Sequence, residues 1–212
     1  MKIIEQSVEF IDEPDWDSLV KHLETCGRIC YKSEQKIKAN SANGFVKKII
    51  NLGHESVLEH AGFTVKFTCD RGISHQIVRH RIASYSQEST RYCNYINEEF
   101  GSEICVIKPF FFDEKSYNYK IWHEACLQSE KNYFDLIKNG AKPEEARSVL
   151  PNSLKTDLVM TANMREWRHF LKLRTSAAAH PQIRQLSLDL LNKLLEKANV
   201  LFSDLSIKDK IL

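Results

Sequence analysis

The chain has 212 residues, enough for one good hydrophobic core. Lys plus Arg number 30 and Asp plus Glu 28, for a net charge of +2, without the positive excess that a general nucleic-acid binder carries. The start Met1-Lys2-Ile3-Ile4-Glu5 has no signal-peptide pattern, and no apolar run is long enough to cross a bilayer. The expectation is therefore a cytoplasmic protein with one domain, residues 1–212, and no membrane or nucleic-acid polymer as partner.

Residues 1–12 read as a strand. Asp15 to Cys26 reads as a helix, with Trp16, Leu19, Val20 and Leu23 at helical spacing. Gly27 to Asn40 is polar and reads as a loop or broken helix. Ser41 stands as N-cap of a helix carrying Phe45, Val46, Ile49 and Ile50, stopped by Gly53. Ser56 and Glu59 have capping-box spacing. Over Gly62 to Cys69, Phe63, Val65, Phe67 and Cys69 alternate with polar residues, the clearest strand in the chain. After a break at Asp70-Arg71-Gly72, Ile73, Ile77 and Val78 predict a short helix.

Further strands are expected over Glu103 to Ile107 and Ser153 to Ala162. Asp113 to Asn139 predicts a long helix, ended by Gly140. Pro143 opens another helix ending near Leu150. Asn163 is the expected cap of a helix with Met164, Trp167, Phe170, Leu171 and Arg174 on one side. Arg165, Arg168, His169 and Lys172 make much of the other. Pro181 starts a last helix whose stripe includes Leu186, Leu190 and Leu194. A few strands with several long helices give an α+β class.

The six cysteines, Cys26, Cys30, Cys69, Cys93, Cys105 and Cys126, are scattered without a Cys-x-x-Cys pair, so free thiols are expected. Only Cys93, two residues from Arg91, stands where a cation could activate its thiol. His54-Glu55 is not followed by the second histidine of a His-Glu-x-x-His metal motif, and no metal is assigned.

The segment Arg79-His80-Arg81-Ile82-Ala83-Ser84-Tyr85-Ser86-Gln87-Glu88-Ser89-Thr90-Arg91 carries most of the chemistry. Arginine presents a rigid fork of donors that matches phosphate oxygens two at a time. Glu88 is the only carboxylate among three arginines, so the donors lack local acidic partners and point to an anion site. In an extended Arg79–Arg81, the arginines share one face and His80 takes the other.

These residues resemble the flavin-dependent thymidylate synthase family. Its signature is read in Arg79-His80-Arg81 followed, after seven residues, by Ser89 and Arg91. The companions stand in order: Gly53-His54-Glu55-Ser56 with Glu59-His60, Gln76, Ala146-Arg147, Asn163-x-Arg165, and Leu171-Lys172-Leu173-Arg174. The likeness runs from about Cys30 to Arg184. It implies an α+β fold with an antiparallel sheet flanked by helices, and a homotetramer with active sites at subunit junctions. It implies methylation of dUMP at C5, with carbon from methylenetetrahydrofolate and hydride from FAD reduced by NADPH.

Carried over by position, Ser56, Glu59, Arg79, His80, Arg81, Asn163, Arg165 and His169 are the implied flavin contacts. Gln76, Arg79, Gln87, Glu88, Ser89, Thr90, Arg91, Arg147 and Arg174 are the implied nucleotide-site residues, with Arg174 polarising the pyrimidine. Gln87 departs from members with glutamate there, and Ser86 from an asparagine common in that slot. His180 receives no role. A competing class is a nucleotide- or RNA-binding module using the same arginines with Tyr85, Tyr92 and Tyr95 as stacking platforms. Near-zero net charge and the absence of an RNP-type or KH-type motif weigh against it.

Overall fold

The computed structural model describes residues 1–98 and 101–206. In chain order it builds β1 (Lys2–Ile4), β2 (Ser7–Asp12), α1 (Trp16–Ile29), α2 (Ala42–Asn51), β3 (Gly62–Asp70), α3 (Arg71–Ile77) and β4 (Ala83–Gln87). There follow β5 (Cys105–Ile107), α4 (Tyr117–Lys138), α5 (Pro143–Ala146), β6 (Lys155–Asn163), α6 (Met164–Arg174) and α7 (Pro181–Phe202). An antiparallel sheet takes the order β2-β3-β6-β4, and β1 pairs with β5 in parallel. The α+β class holds.

Most elements start and stop where local chemistry directs. Asp15 caps α1 by accepting from the Asp17 and Ser18 N–H groups. Asp70, in the expected break after the strand, ends β3 and caps α3, accepting the Ile73 N–H at 2.7 Å. Asn163 caps α6 by accepting the Glu166 N–H at 2.9 Å. Ser116 caps α4 a few residues after the expected start. Gly53 and Gly140 have φ of 70° and 92°, the left-handed conformation that ends α2 and α4.

Two caps differ from expectation. Ser41 precedes α2 but makes no cap bond; its hydroxyl donates to the Glu24 carboxylate at 2.7 Å. Ser56 and Glu59 form no capping box, because Glu55–His60 is a short 3-10 turn with His54 at its N-cap.

By contacts the chain divides into two compact units. The first holds Met1–Ser7, Phe67–Arg79 and Tyr85–Val159. Its core gathers Tyr95, Ile104, Val106, Cys126, Tyr133, Ala146 and Leu154. A polar network adjoins it: the Glu88 carboxylate accepts from Tyr95 Oη at 3.0 Å and Lys155 Nζ at 2.9 Å, and Lys155 also pairs with Asp157.

The second unit holds Val8–Lys66, His80–Ser84 and the chain from Met160 onward. Its helices α1, α2, α6 and α7 pack on one another. Phe63 and Trp167 stack at 4.7 Å between ring centroids, with Trp16 edge-on to Phe63, Phe170 edge-on to Trp167, and Phe10 edge-on to Trp16 and tilted against Phe63. Helical spacing puts Arg168 on the exposed face of α6, but the residue is 2% exposed. Its guanidinium donates to both Asp204 carboxylate oxygens and to the Leu201 carbonyl.

Close strand approach fixes one glycine. A Cβ on Gly62 would meet the Ala162 carbonyl oxygen at 2.5 Å and Asn163 Cα at 3.1 Å, both backbone atoms of β6. Gly62→Ala is expected to destabilise the protein by about 1–3 kcal/mol, because a strand must shift. A urea midpoint equal to that of the parent would contradict this.

Candidate functional site

The first unit places one group of expected residues around a concave site of about 280 Å³. Thr90 and Arg147 line it, together with Arg71 and His75, which motif spacing does not single out. Arg71 leads α3, and its Nη1 reaches the Glu88 carbonyl at 3.4 Å. Arg147 sits on the 3-10 turn after α5, and its Nη1 donates to the Thr90 hydroxyl at 3.4 Å. Two guanidiniums and an imidazole on one concavity make a cationic pocket of the size of a phosphate ester.

The strand β4, not anticipated from the sequence, delivers this region. Its burial alternates, so Ala83, Tyr85 and Gln87 share the half-buried face while Ser84 and Ser86 are exposed. Gln87 Nε2 donates to the Ser74 and Thr156 hydroxyls at 2.9 and 3.2 Å, so its amide is tied into the fold. Glu88 is likewise engaged, in the network with Tyr95 and Lys155. Ser89 shapes the following turn: its carbonyl accepts the Tyr92 and Cys93 N–H groups, and its hydroxyl accepts the Arg91 N–H at 3.3 Å. Arg91 is exposed and pairs with Glu144 at 3.0 Å. Gln76 is half-buried near the end of α3.

The second unit gathers the other group. A cavity of about 380 Å³ is lined by Glu59, Asn163, Arg165 and His169, all expected, and by Glu55, Ile82, Glu166 and Lys172, which were not. Arg165 pairs with Glu59 and Glu55, and Lys172 with Glu55 at 3.7 Å. Ser56 is exposed on the same 3-10 turn as Glu55 and Glu59. The spacing Glu55-x-x-x-Glu59 upstream of two cations is the signal that could have found Glu55.

In Arg79-His80-Arg81 the burial alternates: both arginines are exposed, and His80 is 5% exposed. His80 Nδ1 lies 3.1 Å from Glu166 Oε1, and Arg174 Nε donates to His80 Nε2 at 3.0 Å. The ring meets Phe170 and His169 edge-on at 4.9 and 5.6 Å. Burial, then the charges of Arg174 and His169, push the His80 pKa down to about 4. Burial holds the Glu166 carboxyl above the usual carboxylate range.

A linkage effect follows from His80. The unfolded chain protonates a histidine near pH 6.5, but the folded one resists until about 4. Between these values the unfolded state binds more protons, so stability is expected to fall by up to about 3 kcal/mol as pH drops from 6.5 to 4. The raised Glu166 acts in the opposite sense in the lower part of that window, making the fall shallower. Urea titrations across this range should show a flatter profile for His80→Gln than for the parent. An equal slope would rule the effect out.

Cys93 is corrected as a candidate nucleophile. Burial raises its thiol, and Glu88 raises it further. Cys69, Cys105 and Cys126 are also raised by burial, and all six cysteines are free thiols. The stacking platforms of a nucleic-acid module are not assembled either. Tyr95 is buried, Tyr85 Oη donates to the Ile77 carbonyl at 3.0 Å, and only Tyr92 is exposed. His180, left without a role, is the N-cap of α7, its Nδ1 accepting the Gln182 N–H at 3.2 Å. No helix among the described residues is long and apolar enough to cross a membrane.

Comparison with known proteins decides the family. The model of the thymidylate synthase complementing protein family matches residues 16–198. A flavin-dependent thymidylate synthase of Pyrococcus abyssi is 35% identical over 183 residues, covering 86% of this chain and 73% of that protein. The chain belongs to the flavin-dependent thymidylate synthases. With the family comes its activity, thymidylate synthesis that depends on a flavin. The Geobacter sulfurreducens member is 36% identical over 184 residues, covering 84% of this chain and 78% of its own.

Solved structures agree on the fold of this family. Thymidylate synthase X from Helicobacter pylori, determined with FAD and dUMP, superposes with a TM-score of 0.76 at 24% identity, over 94% of this chain and 98% of its own. A UMP/dUMP methylase from Streptomyces cacaoi, bound with 5-Br dUMP, reaches 0.77 at 22% identity over 96% of each chain.

Proposed function

We propose that the chain methylates dUMP at C5 to form dTMP, acting as one catalytic domain. The family match over residues 16–198 includes stretches of both units and supports that reading. Methylenetetrahydrofolate is the carbon donor, and bound FAD, reduced by NADPH, supplies the hydride. The working form is a homotetramer with active sites at subunit junctions, in the cytoplasm.

The observation that carries the proposal is the placement of Arg174. It stands at the last position of α6, its Nε held on a buried neutral histidine. A guanidinium keeps its charge at any working pH. Set against the uracil N3–carbonyl edge, it stabilises negative charge as that charge develops. Uracil C6 must accept electrons before C5 reacts. A direct hydride achieves this without a protein thiolate, and the four cysteines raised by burial supply none at neutral pH.

The residue sets suit the two anionic ligands. In the 380 Å³ cavity, Arg165 and Lys172 are cations for a dinucleotide's phosphates, while Glu55 and Glu59 are acceptors for hydroxyl or amino groups. Glu59, Ser56, Asn163, Arg165, His169 and the Arg79-His80-Arg81 turn are assigned to the flavin. Arg147, Thr90 and Arg71 are assigned to the nucleotide phosphate, with Gln76, Ser89 and Arg91 around it.

Purified protein should be yellow and bleach with NADPH. Tritium should leave C5-labelled dUMP only when methylenetetrahydrofolate and NADPH are both present. FAD-loaded protein that releases no tritium in the complete mixture would end the proposal. Light scattering should give the mass of about four chains of 24.6 kDa.

A further inference from the structure

We infer that Glu166 is a positioning residue: its carboxylate holds His80 in the Nδ1–H tautomer, and His80 so held orients the Arg174 guanidinium. The inference rests on the reading above, in which Arg174 polarises the pyrimidine.

The tautomer follows from who can donate. A guanidinium has donors and no acceptor. His80 Nε2, 3.0 Å from Arg174 Nε, must therefore present its lone pair. A neutral imidazole carries one proton, which is then on Nδ1. Nδ1 lies 3.1 Å from Glu166 Oε1 and donates to it. The ring thus accepts on one side and donates on the other. With the opposite tautomer, two donors would face each other at Arg174, and the carboxylate would face a lone pair.

Each member is itself held. His80 is 5% exposed, its ring met edge-on by Phe170 at 4.9 Å. Its pKa of about 4 keeps away the imidazolium, which would also present a donor to Arg174. Glu166 stands in the first turn of α6, where the helix dipole favours negative charge. The Asn163 side chain fixes its backbone. Capping-box spacing would send the Glu166 carboxylate back to its own N-cap; here it bonds a ring 86 positions away in sequence. One helix therefore carries both ends of the chain, Glu166 near its start and Arg174 at its last position. Engaging Nε fixes the plane of the guanidinium fork.

The same geometry answers a rival reading. Donor atoms of His80, Glu166 and His169 lie within 4.8 Å of one another, a spacing that would admit a metal ion. A metal needs a ring lone pair, yet in His80 Nδ1 carries the proton and Nε2 is taken by Arg174.

The test reads the tautomer directly. Long-range proton–nitrogen correlation spectra of histidine side chains are recorded at neutral pH on the full-length holoenzyme. The His80 signals are assigned by their loss in His80→Gln. The wild type should show a protonated Nδ1 and an unprotonated Nε2. Glu166→Leu should move His80 toward the Nε2–H form. Assayed at saturating FAD, because Glu166 also lines the cavity assigned to the flavin, it should lower kcat on dUMP by about 10–100-fold, the range for loss of a residue that orients a metal ligand, with the KM for dUMP changed less than about threefold. Glu166→Gln keeps an acceptor for Nδ1–H and should keep the tautomer and recover most of kcat.

A wild-type ring protonated at Nε2 overturns the inference, as does Glu166→Leu with an unchanged tautomer and kcat. If Glu166→Leu does not fold, the wild-type spectrum and Glu166→Gln decide: a Gln variant that folds yet flips the ring overturns it. Failure of the functional reading is separate. It would appear as a wild type without tritium release, and the tautomer would stand or fall on the spectra alone.

Discussion

Arg174→Ala is expected to slow turnover on dUMP by about a hundredfold or more, with the flavin still bound. Loss of one preorganised donor aimed at developing charge costs about 3–4 kcal/mol of barrier, and each 1.36 kcal/mol is a factor of about ten. Arg174 lies outside the group that lines the 380 Å³ cavity, so flavin content should hold. Arg174→Lys separates charge from orientation. It keeps a cation but lacks Nε, the atom bonded to His80, and an ammonium is a point charge on a flexible stem. It should recover only a small part of the lost rate. The measurement is kcat by tritium release, beside the flavin absorbance of the purified variants. Wild-type turnover in Arg174→Ala would remove Arg174 from the chemistry.

The fold is legible wherever local signals agree. β3 shows strict alternation, and its even-numbered neighbours are less buried than Phe63, Val65, Phe67 and Cys69. α6 has a cap, Asn163, and an apolar stripe that is buried as expected, and Pro181 opens α7 as its spacing predicts. β4 escapes a reading of the sequence because Ala83-Ser84-Tyr85-Ser86-Gln87 has little β-branched or apolar content. Its strand geometry comes from pairing with β6, a tertiary effect that overrides propensity.

Site residues show the same division. Motif spacing reaches Glu59, Asn163, Arg165 and His169, which line one cavity, and Thr90 and Arg147, which line another. It includes Glu55 and Lys172 without giving them a role, and it does not reach Arg71 or His75; the parts these residues play depend on which side of a turn or helix they face. It also takes charge runs for solvated surface. That rule holds for Arg165, about half exposed, and fails for Arg168, because the partner of Arg168 is 36 positions away at Asp204. Periodicity along α6 cannot announce a partner beyond α7.

That buried pair carries the largest expected stability effect. Arg168 is 2% exposed, and both terminal nitrogens are bonded, to Asp204 and to the Leu201 carbonyl, while its Nε has no hydrogen-bond partner among the described residues. Burial alone would raise the Asp204 carboxyl; the Arg168 bonds outweigh it and hold it below its usual value. Removing one member of such a pair strands the other's charge, at about 3–5 kcal/mol. The two members are unequal, because Asp204 is 39% exposed on its side chain and can return to water, whereas Arg168 cannot.

Asp204→Ala is therefore expected to cost about 3–5 kcal/mol, lowering Tm by roughly 6–20 °C in a chain of this size. Arg168→Met fills much of the same volume without a charge and should cost less. Neither change touches a residue that lines the two cavities, so kcat at about 20 °C should hold while the melting curves separate. The order of the two variants decides the matter: an Asp204→Ala protein more stable than Arg168→Met would mean that the guanidinium reaches water when its partner is gone.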